Sequence, residues 1–150
     1  MKTITVLGLL IGLSLGACKH DENPPAMANL AGNWGGTYET QQAGSCTWSG
    51  DASIPATASW QVSGTSVTGT LSRQYGQTST PVSLTGTLNG TAVQLNELKA
   101  NNVTCNGVSR TYSARYQGSI AGNTLNLVSM DTLCPVQGCI FRRTLKLTRQ

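Results

Sequence analysis

The stretch Gln61–Glu97, QVSGTSVTGTLSRQYGQTSTPVSLTGTLNGTAVQLNE, decides the fold of this chain. Apolar residues or glycines alternate with Thr and Ser at a period of two, which is typical of strands that bury one face and leave the other in water. The alternating positions are Val67, Gly69, Leu71, Val82, Leu84, Gly86 and Leu88. Between the runs lie Ser63–Thr65 and Asn89–Gly90, whose Gly and Asn tolerate the positive φ of tight turns. The stretch therefore predicts a series of antiparallel hairpins.

The same alternation recurs on both sides of this stretch, and no helical periodicity longer than a turn is present in the body of the chain. It predicts about eight strands, at residues 30–40, Ile54–Val62, Ser66–Gln74, Pro81–Asn89, Thr91–Leu98, Arg110–Ile120, Thr124–Met130 and Ile140–Arg149. Pro81 stands at a strand start, where no ladder donor is needed. Strands of this kind form either a β-sandwich or a closed barrel.

The lengths of the connections favour the barrel. Long connections (41–53, 75–80, 99–109 and 131–139) alternate with short ones (63–65, 89–90 and 121–123). In an up-and-down arrangement every second connection lies at the same end, so all long loops would share an open end and all tight turns a closed end. Closure also removes exposed sheet edges. We therefore predict an all-β fold, an eight-stranded antiparallel up-and-down β-barrel.

The first strand carries Gly32-Asn33-Trp34, which resembles the first-strand Gly-x-Trp motif of calycins, the superfamily of lipocalins, fatty-acid-binding proteins and avidins. The resemblance implies a calycin-like, lipocalin-like barrel in which Trp34 packs at the closed end against an Arg of the last strand. Arg149 is in phase for that role. The chain departs from the family in lacking the lipocalin Thr-Asp-Tyr motif and a helix after the barrel, and no avidin ligand contact can be transferred.

The N-terminal pattern is typical of an export signal. A basic start and a short apolar run end at Leu15-Gly16-Ala17-Cys18, which resembles the bacterial lipobox, so residues 1–17 are predicted to be a lipoprotein signal peptide and Cys18 the lipid attachment point. An ordinary secretory signal is the alternative. Residues 18–29 form a charged, Pro-containing tether, and residues 30–150 the barrel domain. By resemblance to lipoprotein sorting rules, Lys19 after the lipid-bearing Cys disfavours retention in an inner membrane, so we expect an outer-membrane lipoprotein on the periplasmic or surface face.

The charge of the chain argues against a nucleic-acid partner. The formal net charge is +4, and it belongs to the barrel domain because Lys2 and Lys19 are balanced by Asp21 and Glu22. The one basic cluster lies on the last predicted strand, at Arg142, Arg143, Lys146 and Arg149. It suits an anionic lipid or acidic glycan, or it is simply a solvated strand face.

Four cysteines remain besides Cys18, and an even number in a small exported domain predicts two disulfides. Three pairings are possible. We favour Cys134 with Cys139, which flank one connection, and Cys46 with Cys105. The only histidine, His20, lies in the tether, so neither a metal nor another cofactor is expected.

Several charged residues share the inward phase near the open end and predict a ligand site. They are Arg73, Glu97, Arg110 and Arg143, and Tyr38 and Tyr112 would form walls beside them. Buried charges require partners, so such a ring would hold the carboxylate or phosphate of a ligand whose apolar part enters the barrel. The alternative is that Glu97 pairs with an arginine and water fills the mouth. Gly36, Gly69, Gly86 and Gly118 would either leave room inside or permit tight coiling.

Catalysis has little support, because His20 lies outside the body and Asp51, Glu97 and Asp131 suit turns as well as a carboxylate pair. We therefore predict a monomeric, anchored lipoprotein that binds a small amphipathic or anionic ligand. The alternatives are a protein-interaction module, such as a protease or lysozyme inhibitor, and an envelope accessory lipoprotein without a soluble ligand.

Overall fold

The computed structural model describes residues 28–44, 52–99, 101–105, 107–134 and 138–150. The predicted signal peptide, most of the tether and two of the predicted functional cysteines, Cys18 and Cys46, lie outside these residues. The described part contains ten strands: β1 (Gly32–Ala43), β2 (Ala52–Ser63), β3 (Ser66–Tyr75), β4 (Thr78–Asn89), β5 (Ala92–Glu97), β6 (Asn101–Cys105), β7 (Val108–Tyr112), β8 (Arg115–Ala121), β9 (Thr124–Cys134) and β10 (Cys139–Arg149). The predicted all-β class is confirmed.

Eight of these strands close into an antiparallel barrel in the order β1-β10-β9-β8-β5-β4-β3-β2, and β6 and β7 form a separate two-stranded sheet. Neighbours in the barrel follow one another along the chain, except that the β6–β7 hairpin is inserted between β5 and β8. The first and last strands pair from Trp34 with Arg149 to Ala43 with Ile140, which closes the sheet on itself. The predicted up-and-down barrel is therefore confirmed, and its form is compatible with a calycin-like fold.

The inward side chains pack into one continuous core. Trp34, Trp60 and Tyr116 are the largest fully buried side chains, and they are surrounded by buried Leu, Val, Ile and Ala from the other barrel strands and by Leu30, which precedes β1. Full burial of each large aliphatic or aromatic side chain contributes about 1.5–3 kcal/mol. The alternation seen in the sequence is thus the alternation between this core and the outer face.

Four glycines in phase with the core residues allow neighbouring atoms to approach the strand closely. A Cβ at Gly36, Gly86 or Gly118 would lie 2.0, 1.8 or 1.9 Å from a carbonyl oxygen of the adjacent strand. At Gly69, a Cβ would lie 2.4 Å from the ring of Trp60, which occupies the space beside it. Of the two roles considered for these glycines, the structure supports tight coiling of the strands and not an empty interior.

Three sequence predictions about the strands were wrong. The predicted strand Arg110–Ile120 is interrupted at residues 113–114 and becomes β7 and β8, because β7 leaves the barrel to pair with β6. The predicted long connection 75–80 is a two-residue turn, since Gly76 has a φ of +60°. Pro81 lies within β4 and not at its start, but β5 pairs with β4 only from Leu84 onward, so one side of Pro81 requires no ladder donor.

The two ends of the barrel differ. Two-residue turns at 64–65, 90–91 and 122–123 lie at the closed end. The last residues of β1 and β9, the first residues of β2 and β10, the 76–77 turn and the β6–β7 hairpin lie at the other end, which we call the open end. No helix long and apolar enough to cross a membrane is found in the described part of the chain.

Candidate ligand-binding site

The open end of the barrel holds a set of polar side chains that we call the polar ring. Five of the six predicted ligand-binding residues belong to it, and three further residues complete it. Its members are Tyr38, Arg73, Glu97, Tyr112, Tyr116, Ser129, Asp131 and Arg143. Four of them are charged, and hydrogen bonds link them in two groups: one on β1, β3, β5 and β8, the other on β7, β9 and β10.

The first group is built around Arg73. Its Nη1 donates to Tyr38 Oη at 3.4 Å and to Glu97 Oε1 at 3.3 Å, and Tyr116 Oη donates to the same Glu97 oxygen at 2.8 Å. The guanidinium also lies over the Tyr38 ring, 5.2 Å from its centroid. All four side chains come from different strands and are buried, so this group ties β1, β3, β5 and β8 together.

The second group is built around Arg143. Its Nη1 donates to Asp131 and, at 3.5 Å, to Ser129 Oγ, and its Nη2 donates to Tyr112 Oη at 2.7 Å. Ser129 Oγ in turn donates to Asp131 Oδ2 at 2.9 Å. The guanidinium lies between the rings of Tyr112 and Phe141, at 5.1 and 4.6 Å from their centroids. This group thus joins the β6–β7 hairpin to the barrel.

Small neighbours in the register give the two guanidinium groups their room. Arg73 is the Cα partner of Ala56 on β2, and Arg143 is the Cα partner of Ser129 on β9. Because side chains of directly opposite residues are close together, a large residue at either position would compete with the arginine for space. The sequence therefore supplies both the charges and the space for them.

Burial and neighbouring charges shift the pKa values of the polar ring. Burial alone would lower the pKa of Arg73, but the attraction of Glu97 and Tyr38 outweighs burial and raises that pKa. For Arg143, burial would likewise lower the pKa. The attraction of Tyr38, Tyr112 and Asp131 outweighs it and raises the pKa. Burial raises the pKa of Tyr116 well above its usual value, and the Tyr38 and Glu97 neighbours act in the same direction. Both arginines are therefore charged and Tyr116 is neutral in the physiological range.

The shifted pKa of Tyr116 predicts a pH dependence. Its folded-state pKa is above the unfolded one, so the folded state holds this proton more tightly, and the stabilisation is complete below about pH 10 and lost as the pH rises above it. Replacement of Tyr116 by Phe should cost about 1–2 kcal/mol at pH 7, because the hydrogen bond to Glu97 is lost. Above pH 10, unfolding free energies from urea titrations should fall less steeply for Tyr116→Phe than for the wild type. Equal slopes would contradict this prediction.

Arg110 is the predicted ligand-binding residue that the structure does not bring to the polar ring. It is exposed on β7, opposite Val103. The phase argument assumed one continuous strand from Arg110 to Ile120, and the interruption at 113–114 removes that assumption. Tyr112 still reaches the ring because it lies at the barrel end of the hairpin and bonds Arg143.

Three ring residues are absent from the predicted ligand-binding set, Tyr116, Ser129 and Asp131, of which Asp131 was considered only as part of a carboxylate pair. Tyr116 is in phase with Leu95, its Cα partner on β5, and lies on the strand next to the one that ends with Glu97. Ser129 and Asp131 follow Leu125 and Leu127 at a spacing of two, so the inward phase of β9 continues past the predicted strand end at Met130. Ser129 already lies within the predicted strand Thr124–Met130, and an extension by one residue would have included Asp131.

The predicted closing contact is present at the closed end. Trp34 and Arg149 are Cα partners, and the guanidinium lies 4.7 Å from the Trp34 ring centroid. Arg149 also donates to the carbonyl oxygens of Ala31 and Asn29, and Trp34 Nε1 donates to Leu30 O at 2.9 Å. These contacts fix the segment that precedes β1 across the bottom of the barrel.

Cys134 and Cys139 are Cα partners at the open end, where the β9–β10 register shifts. Both are almost completely buried beside Leu133, with Tyr112 and Phe141 packed against them. The bond between Cys134 and Cys139 stays a prediction. Cys46 and the side chain of Cys105, the other predicted pair, lie outside what the structure describes.

Within the described ranges, no group of three or more His, Cys, Asp and Glu side chains is placed to hold a metal ion. The polar ring therefore offers guanidinium, phenol, hydroxyl and carboxylate groups to a bound molecule.

No protein-family model, no curated protein and no solved structure matches this chain.

Proposed function

We propose that this protein is a lipid-anchored envelope lipoprotein with a calycin-like barrel, and that its polar ring binds the carboxylate or phosphate of a small amphipathic molecule. The observation that carries the proposal is the state of Arg73. Its side chain is buried, yet its Nε has no hydrogen-bond partner among the described residues. A buried donor without a partner costs about 1–3 kcal/mol, and an anionic ligand would remove that cost.

The geometry of Arg73 suits an anion. A guanidinium has five donors in a rigid plane, and carboxylates and phosphates accept two of them side by side. The bonds that Arg73 makes to Tyr38 and Glu97, at 3.4 and 3.3 Å, are longer than the usual 2.7–2.9 Å of charge-assisted pairs. A ligand oxygen at Nε and Nη2 would therefore complete its coordination while Glu97 remains in place.

The core below the ring decides how the ligand is oriented. The inward side chains there pack against one another from Trp34 to Tyr116, so the proposed binding space is the ring itself and the region above it. The sequence predicts that the apolar part of the ligand enters the barrel. With this packed core, we propose instead that it points outward. The half of the barrel nearest the open end has large exposed apolar residues that could contact the apolar part of the ligand: Tyr75, Leu98, Val108, Met130 and Ile140.

Export and anchoring complete the proposal. The lipobox-like Leu15-Gly16-Ala17-Cys18 and the following tether support lipid attachment at Cys18, with the barrel held beside an outer membrane. At that location a carrier of amphipathic anions would be close to the lipids and lipid fragments of the envelope.

A second candidate function has its own observation. Exposed fractions of 67% for Met130 and 37% for Ile140, on the adjacent strands β9 and β10, provide apolar surface for a protein partner. Protein interfaces use such residues as anchors, and an exported inhibitor of a protease or lysozyme would act through this rim without a ligand. Stoichiometric inhibition of a lysozyme or a serine protease, lost in Met130→Asp, would favour this function.

The ligand proposal is tested by native mass spectrometry of the full protein purified from its own host. We expect an adduct of one defined mass that is retained by Arg142→Lys, an exposed arginine on the outer face of β10, and lost in Arg73→Lys. Lysine keeps the charge at position 73 but removes Nε and the planar pair of donors.

Titration calorimetry with decanoate, decyl phosphate and decanol provides the second measurement. The two anions should bind the wild type at least about tenfold more tightly than decanol, since a hydrogen-bonded charged group contributes about 1.5–3 kcal/mol. Absence of an adduct together with equal affinity for decanol and the anions would overturn the proposal.

A further inference from the structure

The outer face of β2, β3, β4 and β5 carries no charge. Between residues 52 and 98 the only charged residues are Arg73 and Glu97, and both side chains are buried inside the barrel. On the opposite side, by contrast, Glu39, Lys146 and Arg142 lie on the outer faces of β1 and β10. The barrel thus has a charged side and a neutral side, which we call the neutral face.

Hydroxyl and amide side chains cover the neutral face in rows across the strands. One row runs from Gln61 through Thr68 and Thr85 to Asn96, and the next contains Ser59, Thr70 and Ser83. Strands lie about 4.8 Å apart, so four strands present a surface about 15 Å wide. Every position in these rows is exposed or half-exposed.

Two shallow depressions run along this face. One has a volume of about 370 Å³ and the other about 350 Å³. Ser59 and Thr70 line both, so the two depressions are adjacent; the first lies over β2, β3 and β4, and the second extends from β2 and β3 to Asn33 of β1. The short Ser and Thr side chains leave this space, and they form both its walls and its polar contacts.

We propose that the neutral face binds an uncharged oligosaccharide. Ser, Thr, Asn and Gln side chains each donate and accept hydrogen bonds, as sugar hydroxyls do, so the two surfaces are complementary in chemistry. A charged polymer would instead find partners on β1 and β10. The neutral face has one large exposed apolar residue, Leu98 at the edge of one depression, so it lacks the clustered anchors of a protein interface.

The rigidity of the rows favours binding. Thr is branched at Cβ and has few rotamers in a strand, and Ser is short, so little side-chain entropy is lost when a ligand is bound. Each hydrogen bond contributes little by itself, and binding must come from many of them. We therefore expect affinities in the range typical of weak sugar recognition, strengthened when several anchored molecules bind one long chain.

The experiment measures binding of the full protein to an array of oligosaccharides. The neutral probes are dextran, cello-, manno- and chito-oligosaccharides, and the anionic probes are alginate and hyaluronan. We expect at least one neutral probe to bind and the anionic ones to bind more weakly. The variant Ser59→Ala/Thr68→Val/Thr70→Val should weaken binding about tenfold or more, because three hydroxyl contacts are lost while the two Thr-to-Val changes keep the strand propensity.

The matched control is Thr124→Val/Thr132→Val, which removes two exposed hydroxyls from β9, outside the neutral face. It should bind as the wild type does, and so should Arg73→Lys, which separates this inference from the proposed ligand at the polar ring. The inference is overturned if no neutral probe binds, if the anionic probes bind more tightly, or if the triple variant is unchanged.

Discussion

Replacing Gly86 by alanine is expected to lower the free energy of unfolding by about 3 kcal/mol or more, although it adds a single methyl group. The added Cβ would lie 1.8 Å from Gln94 O and 2.8 Å from the Cα of Leu95 on β5. These atoms belong to the backbone of the β4–β5 ladder, so the clash is relieved only when the two strands separate. Urea unfolding followed by circular dichroism measures the loss. Small domains are stable by only about 5–15 kcal/mol, so a Gly86→Ala variant that does not fold at all would also agree with this prediction.

The control for this prediction is Gly35→Ala. Its Cβ would meet only the end of the Gln150 side chain, at 2.8 Å, which can rotate away. The same Gly-to-Ala change in a strand of the same barrel should therefore alter stability by no more than about 1 kcal/mol. If Gly86→Ala and Gly35→Ala have similar free energies of unfolding, the close approach of β5 at Gly86 does not limit the stability of the barrel.

The barrel could be predicted from the sequence because its causes are local. The alternation of Val67, Leu71, Val82 and Leu84 with Ser and Thr reflects one buried and one wet face, and Gly64 and Gly90 have the positive φ that tight turns need. Where the pattern is short, the boundaries were missed. The sequence predicts a long loop where the structure has the turn at Gly76, because Gln and Thr around it are as frequent in loops as at strand ends.

The β6–β7 hairpin could not be predicted, since its strands have only five residues each and leave the barrel between two strands that pair with each other. The polar residues of this region carry no alternation that distinguishes a short outer sheet from a loop. Arg110 was placed wrongly because the predicted strand Arg110–Ile120 did not include the interruption at residues 113–114. Tyr38, Arg73 and Arg143 lie on strands of ten or more residues, over which the inward phase is reliable.

The sequence alone also could not predict which residues of the polar ring are bonded to one another. Phase places Arg73, Glu97 and Arg143 inside the barrel, but strand register decides which of them meet, and register depends on the pairing of all eight strands. Thus Glu97 could be expected to pair with an arginine, while its bond from Tyr116 required the β5–β8 register. The sequence likewise could not show that Arg73 Nε is buried without a hydrogen-bond partner within the described ranges, because that depends on which side chains the register places around it.

The second large effect is expected at Glu97. Replacement by leucine should lower the free energy of unfolding by about 3–5 kcal/mol, because Arg73 would then remain buried without its carboxylate, and Tyr116 would lose its acceptor. The side chains of this pair are only 10% and 1% exposed, so water cannot replace the lost partner. Chemical denaturation at pH 7 is the measurement.

Two further variants decide whether the cost comes from the unpaired charge. Glu39→Leu breaks the exposed Glu39–Lys146 pair, whose side chains are 30% and 55% exposed, and should cost less than about 1 kcal/mol. The double variant Arg73→Met/Glu97→Leu removes both charges of the buried pair and should regain most of the stability lost in Glu97→Leu, since apolar residues of similar volume replace a buried ion pair at little cost. If the double variant is instead less stable than Glu97→Leu, Arg73 stabilises the barrel through its contact with Tyr38 and its own packing, and the pair itself is not the stabilising unit.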